Sequence, residues 1–435
     1  MEFFEPALAL GKLALIFILI LVLLRFKVKL WIAILSGSLI TAVLTGLSPA
    51  AWPGILFNAL TSRDFVILAL MVFLILVLSG VQEATGQSRK MVRGLSHYLR
   101  SPRLRLVLFP ALVGLLPMPG GALFSCPMVK DTARDMGLTE QKKSLINYWF
   151  RHIWELAWPL YPGYVLICAL LDIPLTRLWL YTFPLVISAF GVGWFFYMRD
   201  LDASPAPASA PAAEEPEEKS LAGVLLHGLP IAVVLLGAVI FGFVFSRFLP
   251  QLPGQLAFCL SLVVAVGVAL YQGRGERMKP LRQIAFTPNV GRIFLLLAAI
   301  YVFKDTVAAA GLIASMGTLG SSGLMLVPAF ILIPFVSGLL TGLMVGFVGL
   351  SFPLLIGIAQ QSPLQEYMLP LVVLGMIAGN CGQLLTPVHV CLVVTAEFFS
   401  ATVPRLLRSL ALPVAALGLM GTLWALLLLL FNVRL

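Results

Sequence analysis

The chain has 435 residues, a formal net charge of +10, 60% hydrophobic residues and only 11% charged ones. Ordinary soluble domains carry roughly 25% charged residues, so this composition excludes a soluble globular protein and indicates a polytopic helical membrane protein. Long unbroken apolar runs exclude an outer-membrane barrel, and basic residues scattered through short loops exclude nucleic acid as a partner.

Each crossing helix needs about 20 apolar residues. The start, MEFFEPALALGKLALIFILILVLL, carries acidic residues before its apolar run and no small-residue cleavage site after it, so it reads as a retained first span at 7–24. Span 2 falls at 30–48 and span 3 at 64–82. The following stretch, 83–105, holds Arg89, Lys90, Arg93, Arg100, Arg103 and Arg105. This basic loop belongs in the cytoplasm, which places the N-terminus outside.

Residues 106–129 could cross the membrane or fold back on themselves. Crossing would put Lys130, Arg134, Lys142 and Lys143 outside, whereas a re-entrant hairpin turning at PMPGG (117–121) keeps both basic flanks inside. The hairpin is the expectation. Span 4 (146–171) then goes outward, interrupted at PLYPG (159–163), and span 5 (176–198) returns. Residues 200–220 are rich in Ala, Pro and Glu, with too few apolar groups to pack, and read as a flexible cytoplasmic linker.

The second half repeats the plan. Span 6 (221–247) goes out and span 7 (255–271) comes in. A basic loop with Arg274, Arg277, Lys279, Arg282 and Arg292 follows, then span 8 (293–316), carrying Lys304 and Asp305. A second hairpin (323–358), entered from outside, is centred on SGLLTG at 337–342. Span 9 (367–397) is interrupted at GNCGQLLTP (379–387), and span 10 (409–431) ends outside. On this scheme about 22 of the 29 Lys and Arg residues lie inside. The predicted fold is an all-α membrane protein of two inverted repeats, 1–199 and 221–435. Each has five spans plus one re-entrant hairpin, and an odd number of crossings per half inverts the second.

Paired interruptions in corresponding places point to a transporter's binding site. Helix N-termini offer unpaired N–H groups and partial positive charge to an anion. The polar groups near the breaks are Pro117, Gly120, Gly121 and Ser125; Asn147, Arg151, His152 and Glu155; Ser337, Thr341 and Gly342; and Asn380, Gln383, Thr386 and His389. Arg151 can hold a carboxylate bidentately, or it can pair with Glu155 one helical turn away. His152, Glu155 and His389 could carry a coupling proton, the histidines because they titrate near neutrality; equally, each histidine could be a hydrogen-bonded core group. Glu397 reads as interfacial or as a proton site, and Lys304 and Asp305, being adjacent, as facing different sides of a helix, either in structural pairs with other spans or as functional groups. The aromatics Tyr148, Trp149, Trp154, Trp158 and Tyr161 read as packing or interface anchors. Cys126, Cys168, Cys259, Cys381 and Cys391 lie in or beside apolar segments without paired spacing, and no disulfide or metal site is expected. HExxH, GxSxG and paired intramembrane aspartates do not occur, so no enzyme is expected.

The motifs PMPGGALFS, NYWFRHIWE with PLYPG, SGLLTGLMVGFVGLSFP and LLTPVHVCL resemble an uncharacterised bacterial and archaeal integral-membrane family of the ion transporter superfamily, related to gluconate, citrate, dicarboxylate and arsenite permeases. The resemblance covers the chain apart from the linker. It implies an elevator fold, in which a dimeric scaffold supports a sliding part built from the two hairpins and two broken spans. Better-studied members carry Ser-Asn-Thr tips that bind sodium and carboxylate. The first tip here is Pro-Met-Pro-Gly-Gly, which favours a proton over sodium as coupling ion.

The resulting expectation is a homodimeric secondary transporter of a small organic anion, proton-coupled, in the bacterial or archaeal inner membrane, without cofactor. A sodium-coupled transporter, or a channel or lipid-head-group scramblase, is the alternative.

Overall fold

The structure is a computed structural model that describes residues 4–48, 50–96, 98–99, 101–115, 121–201, 221–274, 281–312, 326–431 and 433–434. Residues 202–220 of the expected linker and the tip residues Pro117 and Gly120 lie outside the described residues.

Among the described residues every regular element is helical. The first half comprises α1 (Phe4–Arg25), α2 (Leu30–Thr45), α3 (Trp52–Thr61), α4 (Arg63–Ala84), α5 (Gln87–Ser96), α6 (Pro102–Gly114), α7 (Ala122–Thr132), α8 (Glu140–His152), α9 (Pro162–Leu171) and α10 (Leu175–Gly193). The second comprises α11 (Leu221–Phe248), α12 (Gln255–Gln272), α13 (Leu281–Ala285), α14 (Pro288–Ala309), α15 (Leu326–Thr341), α16 (Met344–Gln360), α17 (Met368–Leu384), α18 (Val390–Phe398) and α19 (Val403–Leu430). Among the described residues, six helical stretches are long and apolar enough to cross a membrane: Arg63–Ala84, Leu175–Met198, Ala222–Phe248, Gln255–Gln272, Gln365–Leu384 and Val403–Leu430. Helices α11 and α19 leave Leu236, Ile240, Phe243, Leu419, Leu423 and Leu426 exposed on their flanks, which in water would be unfavourable by about 1.5–3 kcal/mol per side chain. The chain is therefore an all-α, multi-pass membrane protein.

Local chemistry explains several boundaries. Ser62 starts α4 by accepting from Phe65 N at 3.3 Å, Thr139 starts α8 by accepting from Lys142 N at 3.2 Å, and Thr287 starts α14 by accepting from Val290 N at 3.3 Å, with Pro288 in the first turn. Each satisfies an N–H that the helix itself leaves unpaired.

Several boundaries depart from the sequence expectation. The basic stretch 83–105 is not all loop. It contains α5, whose Met91 and Val92 are buried while Arg93 stays exposed; α5 packs on α11. Second, the span interrupted at GNCGQLLTP stays helical through Leu384, so the break falls at 385–389. A Cβ at Gly382 would strike Phe335 O and lie 2.9 Å from Leu339 N, and one at Gly338 would strike Gly379 O. These glycines bring α15 and α17 backbone to backbone, the usual service of small residues between membrane helices, instead of breaking a helix. Third, Ser337 and Thr341 belong to α15, and the turn proper is Gly342–Leu343, with Gly342 at φ +62°. Only glycine takes that conformation without strain.

Helix α17 is buried along its entire length and packs against α15, α16 and α19. The packing is exchanged between halves. Helix α2 packs on α14 and α4 on α12; α7 packs on α18 and α9 on α16; within the halves, α6 packs on α8 and α15 on α17.

Candidate functional site

The first broken span carries most of the site. Helix α8 gives way to a 3-10 turn at Ile153–Leu156 and then to irregular backbone before Pro162 opens α9. The break begins at Ile153, earlier than the Pro-rich stretch 159–163 where it was expected. Three donors from this segment satisfy the C-terminal carbonyls of α6: Trp154 Nε1 to Ala111 O at 2.9 Å, Trp158 Nε1 to Leu115 O at 2.7 Å, and Tyr161 Oη to Gly114 O at 2.7 Å. A helix ending inside a membrane protein has carbonyls with no intrahelical partner, and these aromatics supply one. The expectation of packing roles for Trp154, Trp158 and Tyr161 agrees with this geometry.

Asn147, Arg151, His152 and Glu155 are all buried, at 0%, 3%, 2% and 7% exposure. Asn147 Nδ2 donates to Cys126 Sγ of α7 (3.1 Å) and Thr395 Oγ1 of α18 (3.2 Å), tying three helices together. Arg151 Nη1 lies 3.3 Å from Cys391 Sγ, in the first turn of α18. A Cβ at Gly121, just before α7, would collide with the Arg151 guanidinium. Arg151 therefore stands between the N-terminal ends of α7 and α18. The expected one-turn neighbour of Arg151, Glu155, accepts a short hydrogen bond from Gln383 Nε2 of α17.

Behind Arg151 lies an aromatic and imidazole cluster. Tyr148 Oη donates to Leu384 O at 3.3 Å and sits 3.2 Å from His389 Nδ1, which also approaches Gln383 O at 3.4 Å. His152 Nδ1 bonds to Tyr148 O, and the two imidazole rings meet edge to face, 4.6 Å between centroids. His152 Nε2, Asn147 Oδ1 and Gln383 Oε1 are buried without a hydrogen-bond partner.

The second hairpin reaches the same region by backbone. Gly342 faces Thr386 and the His389 backbone, and Gly163 at the start of α9 faces Met344 and Val345 N at the start of α16. Thr386 is buried and accepts from Val388 N at 3.3 Å. Ser125 and Asn380 are buried in α7 and α17. The hydroxyls of Ser125, Ser337 and Thr341 bond to carbonyls of their own helices, Ala122, Ile333 and Ser337. Glu397 is exposed on α18. Lys304 does not seek another span: its Nζ lies 3.4 Å from Asp305 and 4.6 Å over the Tyr301 ring. That pair borders a separate cavity of about 290 Å³ between α9, α14 and α16.

Sequence reasoning missed Cys391, Cys126 and Thr395. The signal was faint: Cys391 follows His389 by two residues, a spacing with no meaning until the fold brings His152 alongside.

No curated protein matches the chain. A family model described as a protein of unknown function, DUF401, matches residues 9–430, nearly the full length, and the chain belongs to that family.

Proposed function

We propose that the chain is a secondary active transporter of a small organic anion of the carboxylate or sugar-acid class, proton-coupled, working by alternating access in the inner membrane of a bacterium or archaeon. The observation that carries this reading is the setting of Arg151, buried between the first turns of α7 and α18. A guanidinium beside two helix N-termini is a strong anion receptor in a low-dielectric site. An ionisable residue at membrane depth is by default a functional one. Glu155, His152 and His389, all buried within the same cluster, are the groups available to a coupling proton.

The exchanged packing supports an inverted repeat. The second span of each half lies on the third span of the other, and the second arm of each hairpin lies on the second part of the opposite broken span. A pseudo-two-fold axis in the membrane plane would produce this pattern. Re-entrance of the hairpins follows from the placement of the basic flanks, the elevator motion and the homodimer from the resemblance to the ion transporter superfamily, and all three belong to this proposal.

The test is thermal stabilisation of detergent-purified protein by a panel of sugar acids, di- and tricarboxylates, phosphonates and oxyanions, at two pH values, with and without sodium. A ligand at one hundred times its Kd stabilises by about 2.7 kcal/mol. One anion class should raise the unfolding temperature in wild type and not in Arg151→Ala. The same solute should show saturable counterflow in proteoliposomes, which an open channel would not. If no anion binds or moves, and Arg151→Ala changes nothing, the reading fails.

A further inference from the structure

We infer that His152, His389 and Cys391 form a binding site for a zinc-class transition-metal ion. Each offers one ligand atom, and the three atoms lie within 4.8 Å of one another. They come from two broken spans far apart in sequence, His152 at the end of α8, His389 just before α18 and Cys391 in its first turn.

The hydrogen bonds set both imidazoles in the tautomer a metal needs. A carbonyl can only accept, so His152 Nδ1 carries the proton in its bond to Tyr148 O. His152 Nε2 then presents its lone pair on a residue only 2% exposed, with no partner in good hydrogen-bond geometry and the Cys391 thiol as its polar neighbour. Tyr148 donates its hydroxyl proton to Leu384 O, so its oxygen accepts from His389 Nδ1, with Gln383 O as a second acceptor. His389 Nε2 is thereby left as the lone-pair nitrogen. Ligating histidines typically donate the other ring N–H to a carbonyl or similar acceptor, which fixes ring orientation. Here both do.

The donor set selects the metal. Two neutral imidazoles and a thiolate suit Zn(II) and its neighbours, and exclude Mg(II) and Ca(II), which require oxygen ligands. Zinc–nitrogen bonds of about 2.0–2.1 Å and zinc–sulfur bonds of about 2.3 Å place ligand atoms about 3.5 Å apart in a tetrahedron. The three atoms need to close by about 1 Å, a side-chain adjustment. Binding converts the Cys391 thiol to thiolate and releases its proton. Arg151 Nη1, 3.3 Å from that sulfur, supports its negative charge by hydrogen bonding. Three protein ligands leave one coordination position open to water or another ligand. Occupation of that position by the anion next to Arg151 rests on the transport reading; metal binding itself does not. While ligated, His152 and His389 cannot carry a coupling proton, which leaves Glu155 as the carrier.

The experiment uses full-length protein in detergent, freed of metal by a chelator and titrated with Co²⁺ alone. The expected result is one equivalent bound, with the visible bands of a tetrahedral cobalt centre and a near-ultraviolet thiolate-to-cobalt charge-transfer band, both abolished by Zn²⁺. Cys391→Ser should lose the charge-transfer band, and His152→Gln and His389→Gln should weaken Co²⁺ binding more than tenfold. Cys168→Ser, elsewhere in the fold, should behave as wild type. Monodisperse wild type without these bands overturns the inference, and so does a charge-transfer band that persists in Cys391→Ser, a change small enough to spare folding. Cobalt bands without any anion response would sink the transport reading and leave the metal site standing; an anion response without cobalt bands would do the reverse.

Discussion

Two glycines on the first hairpin make opposite predictions from nearly the same contact. Both Gly114, ending α6, and Gly121, before α7, touch Arg151. A Cβ at Gly114 would collide with the Arg151 carbonyl oxygen and lie 3.1 Å from its carbonyl carbon, so α6 must move off α8 by about 1 Å to restore ordinary contact. Overpacking of this kind costs about 1–3 kcal/mol. The shift also loosens the Tyr161–Gly114 and Trp158–Leu115 hydrogen bonds, each worth about 1 kcal/mol, while alanine returns up to about 1 kcal/mol of helix propensity. Gly114→Ala is therefore expected to destabilise by about 2–3 kcal/mol. At Gly121 the Cβ meets the guanidinium instead, the far end of a flexible side chain. Gly121→Ala should leave stability within about 0.5 kcal/mol and displace the arginine head. The assay is thermal unfolding of both variants in detergent, followed by the anion panel. Gly114→Ala should melt several degrees lower, whereas Gly121→Ala should melt as wild type and lose the anion-induced shift. Equal melting of Gly114→Ala and wild type, or equal damage from both variants, would refute the reasoning.

Gly382→Ala should lower the unfolding temperature by the equivalent of about 1–3 kcal/mol, because its Cβ meets α15 backbone; Gly242→Ala, with open space around it, should be neutral or slightly stabilising. Gln383→Leu strips Glu155 of its amide donor and should cost about 1–3 kcal/mol, the penalty for a buried acceptor left unsatisfied, read in the same melt. Trp158→Phe keeps the ring but orphans Leu115 O; a loss of about 1–3 kcal/mol is expected, and no loss would show that water reaches the end of α6.

The spans were legible because apolar runs of membrane length have few other uses, and the positions of α4, α10, α11, α12 and α19 follow from them. The breaks were legible only in outline. Proline at 159 and 162 marks irregular backbone, yet the 3-10 turn starts before it at Ile153, where no local signal warns of it. Glycine carries two meanings. At Gly342 it makes a turn with φ +62°; at Gly338, Gly379 and Gly382 it lets helices touch; only the partner helix distinguishes them. Helix α5 was hidden because its charges dominated the reading, although its Met-Val pair is what seats it on α11. In the site, Arg151, His152 and Glu155 stood out as ionisable groups in an apolar run. Cys391 did not, since a cysteine in such a run is ordinarily a small apolar filler, and its relation to His152 exists only across the fold.

The three aromatic donors that close the end of α6 have a mechanical consequence. Trp154, Trp158 and Tyr161 fasten the kink after α8 to the first hairpin at three successive points, so a force on one is transmitted to the other with little slack. Beyond the rivets the backbone turns left-handed on either side, at Gly137 between α7 and α8 and at Asp172 where α9 ends. Hairpin and kink are thus fastened into one unit, bounded on each side by a left-handed backbone turn.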